Sequence, residues 1–271
     1  MKELSLRELQ LFCLQILKDV HRFCVDNNIK YSMQDGSLIG TARHKGFIPW
    51  DDDVDLVMPR PDYVRFCKSY RSDRYKLLYP ERDKECLVAF ARVYDDTITV
   101  TRTVQPWCNR TVGVWIDIFP ADGAYDDINR HNRAYTQSRN LLVRSWRGRL
   151  AIADTFSTNK SFTNNLKLLV RKMMPTRFFV SRVCQRASRI PFGSTKFWTQ
   201  MTSMEDNSKE HHRIETFEYC ITMPFEDTEV LVMNGWEEVL RDKYNDYMQL
   251  PPVESRIPHS TSTKFYWVDN K

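Results

Sequence analysis

Five aspartates crowd into the stretch Gln34 to Arg60, QDGSLIGTARHKGFIPWDDDVDLVMPR, beside a Gly-Ser turn and a basic triplet. Within it Asp53-Val54-Asp55-Leu56-Val57 alternates acid with apolar residue, the period-2 pattern of a strand resting one face on a core. Residues two apart on a strand share a face, so Asp53 and Asp55 point the same way while Val54 and Leu56 turn inward. Side-by-side carboxylates repel unless a proton or a cation lies between them. A hard divalent ion such as Mg²⁺ or Mn²⁺, bridging substrate phosphates, is the usual remedy. Aspartate runs are also common in solvated loops, and Asp51 and Asp52, just after Pro49-Trp50, read as loop or strand-entry residues.

A third acid, Asp117, sits in the apolar run Gly113 to Asp122, GVWIDIFPAD. Buried alone it would cost several kcal/mol, so it needs a partner. A metal shared with Asp53 and Asp55 would supply one; the bland alternative is an acid on the open face of an edge strand. Gly36 and Ser37 read as a turn leading into a helix over about Leu38 to His44, with backbone N–H groups and a hydroxyl available to an anion. Arg43-His44-Lys45 closes that helix, where cations complement the dipole or neutralise phosphates brought to the aspartates. Arg92, in the strand Leu87 to Tyr94, is a further candidate phosphate contact or a solvated strand residue. The lone tail histidine His259 is either a substrate contact or incidental, and Trp50, Trp107 and Trp115 are either core residues or a box for a quaternary ammonium.

Several elements must position these groups. Leu4 to Asn27 places Leu6, Leu9, Phe12, Cys13, Ile16, Leu17, Val20 and Phe23 at helical spacing, with Ser5 and Glu8 as a capping box. Short strands are expected at Ile29 to Gln34, Tyr75 to Tyr79, Thr97 to Val104 and Ile221 to Phe225, and helices at Pro59 to Tyr70 and Glu237 to Tyr247. Tyr125 to about Gln200 is helical in pattern, with Thr155 to Thr163 as a loop between two helices.

The chain has 271 residues, enough for one substantial core with a lobe. No apolar run is long enough to span a bilayer, and the start does not resemble a signal peptide. Seven scattered cysteines without a CxxC pair argue for reduced thiols in a cytoplasm. The net charge of +5 hides an asymmetry: residues 130–200 carry fifteen Lys/Arg against the single acid Asp154, while the rest is acidic. Such a block suits an anionic partner, either a membrane surface or a phosphorylated acceptor. Nothing reads as an RNA-binding aromatic signature or zinc finger, so nucleic acid is not expected.

With these pieces in place, the chain resembles the LicD family and the catalytic domain of the fukutin-related proteins. The matching stretches are DGSLIGTARHKGFIPWDDDVDL, GVWIDIFPADG and NGWEEVLRDKYNDYMQLPP, in that order. The resemblance implies an α+β, nucleotidyltransferase-like fold: a mixed β-sheet core flanked by helices, with a basic helical lobe. On this reading residues 1–125 form the catalytic core, 126–205 the lobe, and 206–271 complete the core and its acceptor side. The family's pattern places a Gly-Ser turn at Gly36-Ser37, metal ligands and catalytic acids at Asp53, Asp55 and Asp117, and nucleotide or phosphate contacts at Gly36, Ser37, Arg43, His44, Lys45 and Arg92. Asn245 stands where the family usually has glycine, a position asparagine can fill because it tolerates left-handed backbone.

The resemblance implies metal-dependent transfer of a phosphorylated headgroup, phosphocholine from CDP-choline being the best known case, onto a hydroxyl of a cell-surface glycan or its lipid-linked precursor. Such an enzyme would work in the cytoplasm, at the inner face of the membrane if the basic 130–200 block makes peripheral contact. Three alternatives remain at this point. One is transfer of a ribitol, glycerol or aminoethyl phosphate from a cytidine nucleotide. Another is a nucleotide-sugar glycosyltransferase, which would usually place more βα units before its DxD. The last is a scaffold that binds only a structural ion.

Overall fold

The computed structural model describes residues 1–101, 111–147, 176–203, 209–258 and 263–268. Trp107, Cys108, His259, the end of the strand expected at 97–104, Leu150, Leu166, Leu168, Leu169, Val170 and the loop expected at 155–163 lie outside the described residues.

The first helix, α1 (Leu6–Asp26), starts as its sequence dictates. Ser5 Oγ accepts from the Glu8 N–H at 3.3 Å, and the Glu8 carboxylate accepts from the Ser5 N–H at 2.8 Å. Its apolar stripe buries Leu9, Cys13, Ile16, Leu17, Val20 and Cys24 against the main core. At about 25 cal/mol per Å² of apolar surface removed from water, such a stripe and not helix propensity fixes this element.

The chain then lays down β1 (Ser32–Met33), the short helix α2 (Asp35–Ile39), a wider π-type turn over Gly40–His44, and β2 (Asp55–Pro59). Gly36 and Ser37 thus lie inside the first helical turn, not ahead of it, and the helix breaks at Gly40 before the basic triplet. Gly40 has a steric reason: a Cβ there would stand 2.5 Å from the Gly46 carbonyl oxygen. Helix α3 (Arg60–Ser69), β3 (Lys76–Leu78), β4 (Ala91–Tyr94), β5 (Thr99–Thr101) and the long β6 (Trp115–Gly123) follow.

The main sheet runs β1-β2-β6-β4-β3. Only β2 and β6 pair in parallel; the others are antiparallel, so the sheet is mixed. Helices α4 (Ile128–Arg147) and α5 (Thr176–Ala187) pack on one another and bury Leu142, Val180 and Val183 with Ala89 of the core region. Strands β7 (Phe197–Thr199) and β8 (His212–Arg213) extend the end of β6. A hairpin of β9 (Cys220–Phe225) and β10 (Thr228–Met233) adds Phe225, Val230 and Val232 to the main core. Helix α6 (Trp236–Tyr244) comes next, and β11 (Phe265–Trp267) pairs with β5. Helices and a mixed sheet around a shared core make this an α+β fold.

Candidate active site

The site is built where β2 begins. Asp55 is the first residue of β2 and lies in register with Asp117 of β6. Directly paired residues on neighbouring strands project to the same face. The two carboxylates, 62 residues apart in sequence, therefore converge through the one parallel contact of the sheet. The Asp117 N–H donates to the Val54 carbonyl at 2.9 Å, which continues the ladder one step before β2. Asp53 lies ahead of the strand as hydrogen bonding defines it, in the irregular segment that also carries Asp51 and Asp52. Each of Asp51, Asp52 and Asp53 offers a carboxylate oxygen, and the three lie within 4.8 Å of one another.

The electrostatics follow from this crowding. Burial, then the charges of Asp53, Asp117, Asp35 and Asp51, push the Asp55 carboxyl well above the usual range. Burial and Asp52 raise Asp51 to about 6. Burial also raises Asp117, with Arg92 pulling the other way. Carboxyls that bind protons this readily are short of positive charge, and their all-oxygen donor set suits a hard divalent cation. Among the described residues the three acids close enough to share one ion are Asp51, Asp52 and Asp53; Asp55 and Asp117, expected in that set, pair with each other and lie outside it.

Asp117 also has a partner that the sequence reading assigned elsewhere. Arg92, its cross-strand neighbour on β4, donates to both carboxylate oxygens, Nε to Oδ1 and NH2 to Oδ2, the latter at 2.8 Å. Arg92 is only 8% exposed, its guanidinium between the rings of Phe90 and Trp115 at 5.2 and 5.0 Å from their centroids. Its first partner is thus an acid of the site, and any contact with a phosphate would be made from that anchored position.

Ser37 is 4% exposed, and its Oγ accepts from the Asp55 N–H at 3.0 Å. The hydroxyl therefore fastens α2 to the start of β2. Gly36 is required by close approach: a Cβ would lie 2.7 Å from Asp51 Oδ2. Arg43 donates to the carbonyls of Tyr247 at 2.6 Å and Gln249 at 3.3 Å, and through Nε to His44 Nε2 at 3.0 Å. Burial and Arg43 lower His44, so the triplet offers charge through Arg43 and Lys45 and a neutral ring through His44. Lys45 is exposed at φ 54°, and its carbonyl accepts from the Glu226 N–H at 2.7 Å. Trp50 faces Arg256 at 5.5 Å, whereas Trp115 packs against Phe265 at 5.1 Å.

Sequence reasoning missed Asp35, Lys243 and Glu210. Asp35 has φ 48°, and its carboxylate meets Lys243 Nζ of α6 and, at 3.1 Å, the Tyr244 hydroxyl. The usable signal was local: an aspartate just before Gly-Ser suggests a left-handed residue. The lysine that meets it lies more than two hundred residues away.

Residues 28–145 match the family described as LicD/FKTN/FKRP, nucleotidyltransferase domain. The lipopolysaccharide cholinephosphotransferase LicD of Haemophilus influenzae is 32% identical over 272 residues, covering 96% of this chain and 97% of that protein. The chain belongs to the LicD family. A shorter match reaches the ribitol 5-phosphate transferase FKRP of Homo sapiens, 44% identical over 74 residues, or 26% of this chain and 15% of that one. An uncharacterized Rickettsia typhi protein, RT0683, is 44% identical over 52 residues, 19% of this chain and 17% of that protein. As a LicD-family protein this chain is a transferase, and the segment that its family match covers contains Asp53, Asp55 and Asp117. Among the described residues no helix is long and apolar enough to cross a membrane.

Proposed function

We propose that this transferase moves a phosphorylated alcohol, phosphocholine first, from a cytidine diphosphate donor onto a hydroxyl of a glycan or lipid-linked glycan. The observation that carries this reading is the register of Asp55 with Asp117, beside the Asp51–Asp53 cluster. Asp53, Asp55 and Asp117 would hold Mg²⁺ or Mn²⁺, which supplies charge compensation to the donor diphosphate. Ser37 fixes where Asp55 starts, and Gly36 leaves room for the Asp51 carboxylate. Arg43 and Lys45 face the negative charge that grows on the leaving nucleotide.

In the transfer, the acceptor oxygen bonds to the headgroup phosphorus as that phosphorus parts from the bridging oxygen, which leaves on CMP. The acceptor's proton goes to a carboxylate of the site. Arg92 holds both oxygens of Asp117, which suits that acid to organising charge. The glycan acceptor follows from the LicD relative, which acts on lipopolysaccharide by its name. A place at the inner face of the membrane would bring a lipid-linked acceptor within reach, with the basic 130–200 block towards the anionic surface.

The test is incubation of the purified chain with an acceptor glycan, Mg²⁺ and either CDP-choline, CDP-ribitol or a nucleotide sugar. CMP release with CDP-choline, abolished by EDTA, is expected. Release of a nucleoside diphosphate from the sugar donor alone would replace this reading with glycosyl transfer. CMP from CDP-ribitol alone would change the headgroup and keep the chemistry.

A further inference from the structure

Lys243 of α6 is 2% exposed, yet it belongs to a residue type almost never buried without a counter-charge. Its Nζ lies between two acids, Asp35 Oδ1 and Glu210 Oε1. Glu210 is fully buried, and its other oxygen stands 3.9 Å from His212 Nε2. The next residue of α6, Tyr244, donates its hydroxyl to the same Asp35 oxygen. Asp35 is thus gripped from two consecutive positions of one helix.

What is gripped is an unusual piece of backbone. Asp35 opens α2 with φ 48°, a region an aspartate enters less readily than a glycine. Two residues later Ser37 Oγ takes the N–H of Asp55. A continuous line therefore runs Glu210–Lys243–Asp35–Ser37–Asp55, through α6 and α2 to the first residue of β2. A left-handed aspartate persists only where its surroundings over-determine it. Here the surroundings are a buried cation and a tyrosine hydroxyl.

We propose that Lys243 is a positioning residue for the transfer site, locking Asp35 so that Ser37 holds the start of β2 where Asp55 meets Asp117. Its kinetic readout rests on the phosphoalcohol-transfer reading above; its structural readout does not. Lys243→Met is expected to lower kcat at least tenfold with KM for CDP-choline changed less than threefold, because no donor contact is removed. Ser37→Ala is expected to lower kcat about tenfold by freeing the same junction. The double variant should fall about as far as either single, not by their product, since both act on one linkage. Asp35→Asn keeps the Lys243–Glu210 pair and serves in place of Lys243→Met if the latter does not fold.

Hydrogen exchange on the full-length chain separates failure of this proposal from failure of the activity. In Lys243→Met or Asp35→Asn the amides of 35–39 and of Asp55 should exchange at least tenfold faster, with those of the β9–β10 hairpin unchanged. If the wild type releases no CMP yet this local change appears, the transfer reading falls and the positioning role stands. Unchanged exchange at Asp55, or loss factors that multiply in the double variant, overturns the proposal.

Discussion

Strand β6 carries two arginine–aspartate pairs, and they behave differently. Arg60 donates to both oxygens of Asp122 at 2.7 and 2.6 Å, and Arg92 does the same to Asp117. The two aspartates are five residues apart on a strand, so alternation sends them to opposite faces. At Asp122 the account closes, one cation to one fully buried anion. At Asp117 the same fork lies in register with Asp55, whose carboxyl is pushed up by burial and then by the charges of Asp53, Asp117, Asp35 and Asp51. One motif, a bidentate pair on one strand, thus stands alone where charges balance and forms part of the proposed transfer site where acids outnumber bases. The surplus, not the ion pair, marks function.

The largest effect expected from this contrast is on turnover. Asp55→Asn should lower kcat about 10³-fold or more, roughly 4 kcal/mol of barrier, with an unchanged circular dichroism spectrum. Near-normal turnover would remove the β2 acid from the chemistry. Next comes stability. Arg60→Met strands a buried carboxylate and should cost about 3–5 kcal/mol against the wild type in denaturant unfolding, with the same deficit in EDTA and in Mg²⁺ because the ion stabilises both alike. Arg92→Met should lose stability against the wild type in EDTA too, but that deficit should shrink in Mg²⁺, because the carboxylate freed by the arginine then has the ion as its counter-charge. Equal rescue of both variants by Mg²⁺ would erase the distinction between the two pairs.

A further effect, confined to acid pH, concerns a buried imidazole. His131 is fully buried with its ring 4.7 Å from that of His211, and burial, then His211, lowers it to about 4. A folded value below the unfolded one of about 6.5 means the unfolded chain binds more protons between those limits. The stability that neutral His131 contributes is therefore present above pH 6.5 and lost as pH falls towards 4, up to about 3 kcal/mol. His131→Phe should flatten thermal midpoints across that window; an unchanged slope would place the acid lability elsewhere.

Much of this arrangement was legible in the sequence because it is local. The capping box at Ser5 and Glu8, the stripe of α1 and the acid–apolar alternation of Asp53 to Val57 each depend on near neighbours. Asn245 takes φ 57° but ψ −110°, outside the left-handed helical region expected of it and in backbone that suits glycine better. Asp117 announced itself as an acid in an apolar run that needed company. The identity of that company was not legible, because Arg92 becomes its neighbour only through the β4–β6 pairing. Asp51 read as a loop residue, yet it is 5% exposed and fills the space a side chain at Gly36 would need. The second strand of the β9–β10 hairpin was passed over, and the Asp35–Lys243 contact joins opposite ends of the chain.

The parallel match of β2 with β6 has one more implication. Between Asp55 and Asp117 the chain must travel out through α3, β3, β4 and β5 before it returns. Closure of so long an excursion precedes any pairing of those two residues, and non-local pairings of this kind form slowly. An excised peptide bearing the DxD sequence would therefore be an ordinary weak chelator. For the proposed site, ion affinity would emerge during refolding only once β2 and β6 have paired.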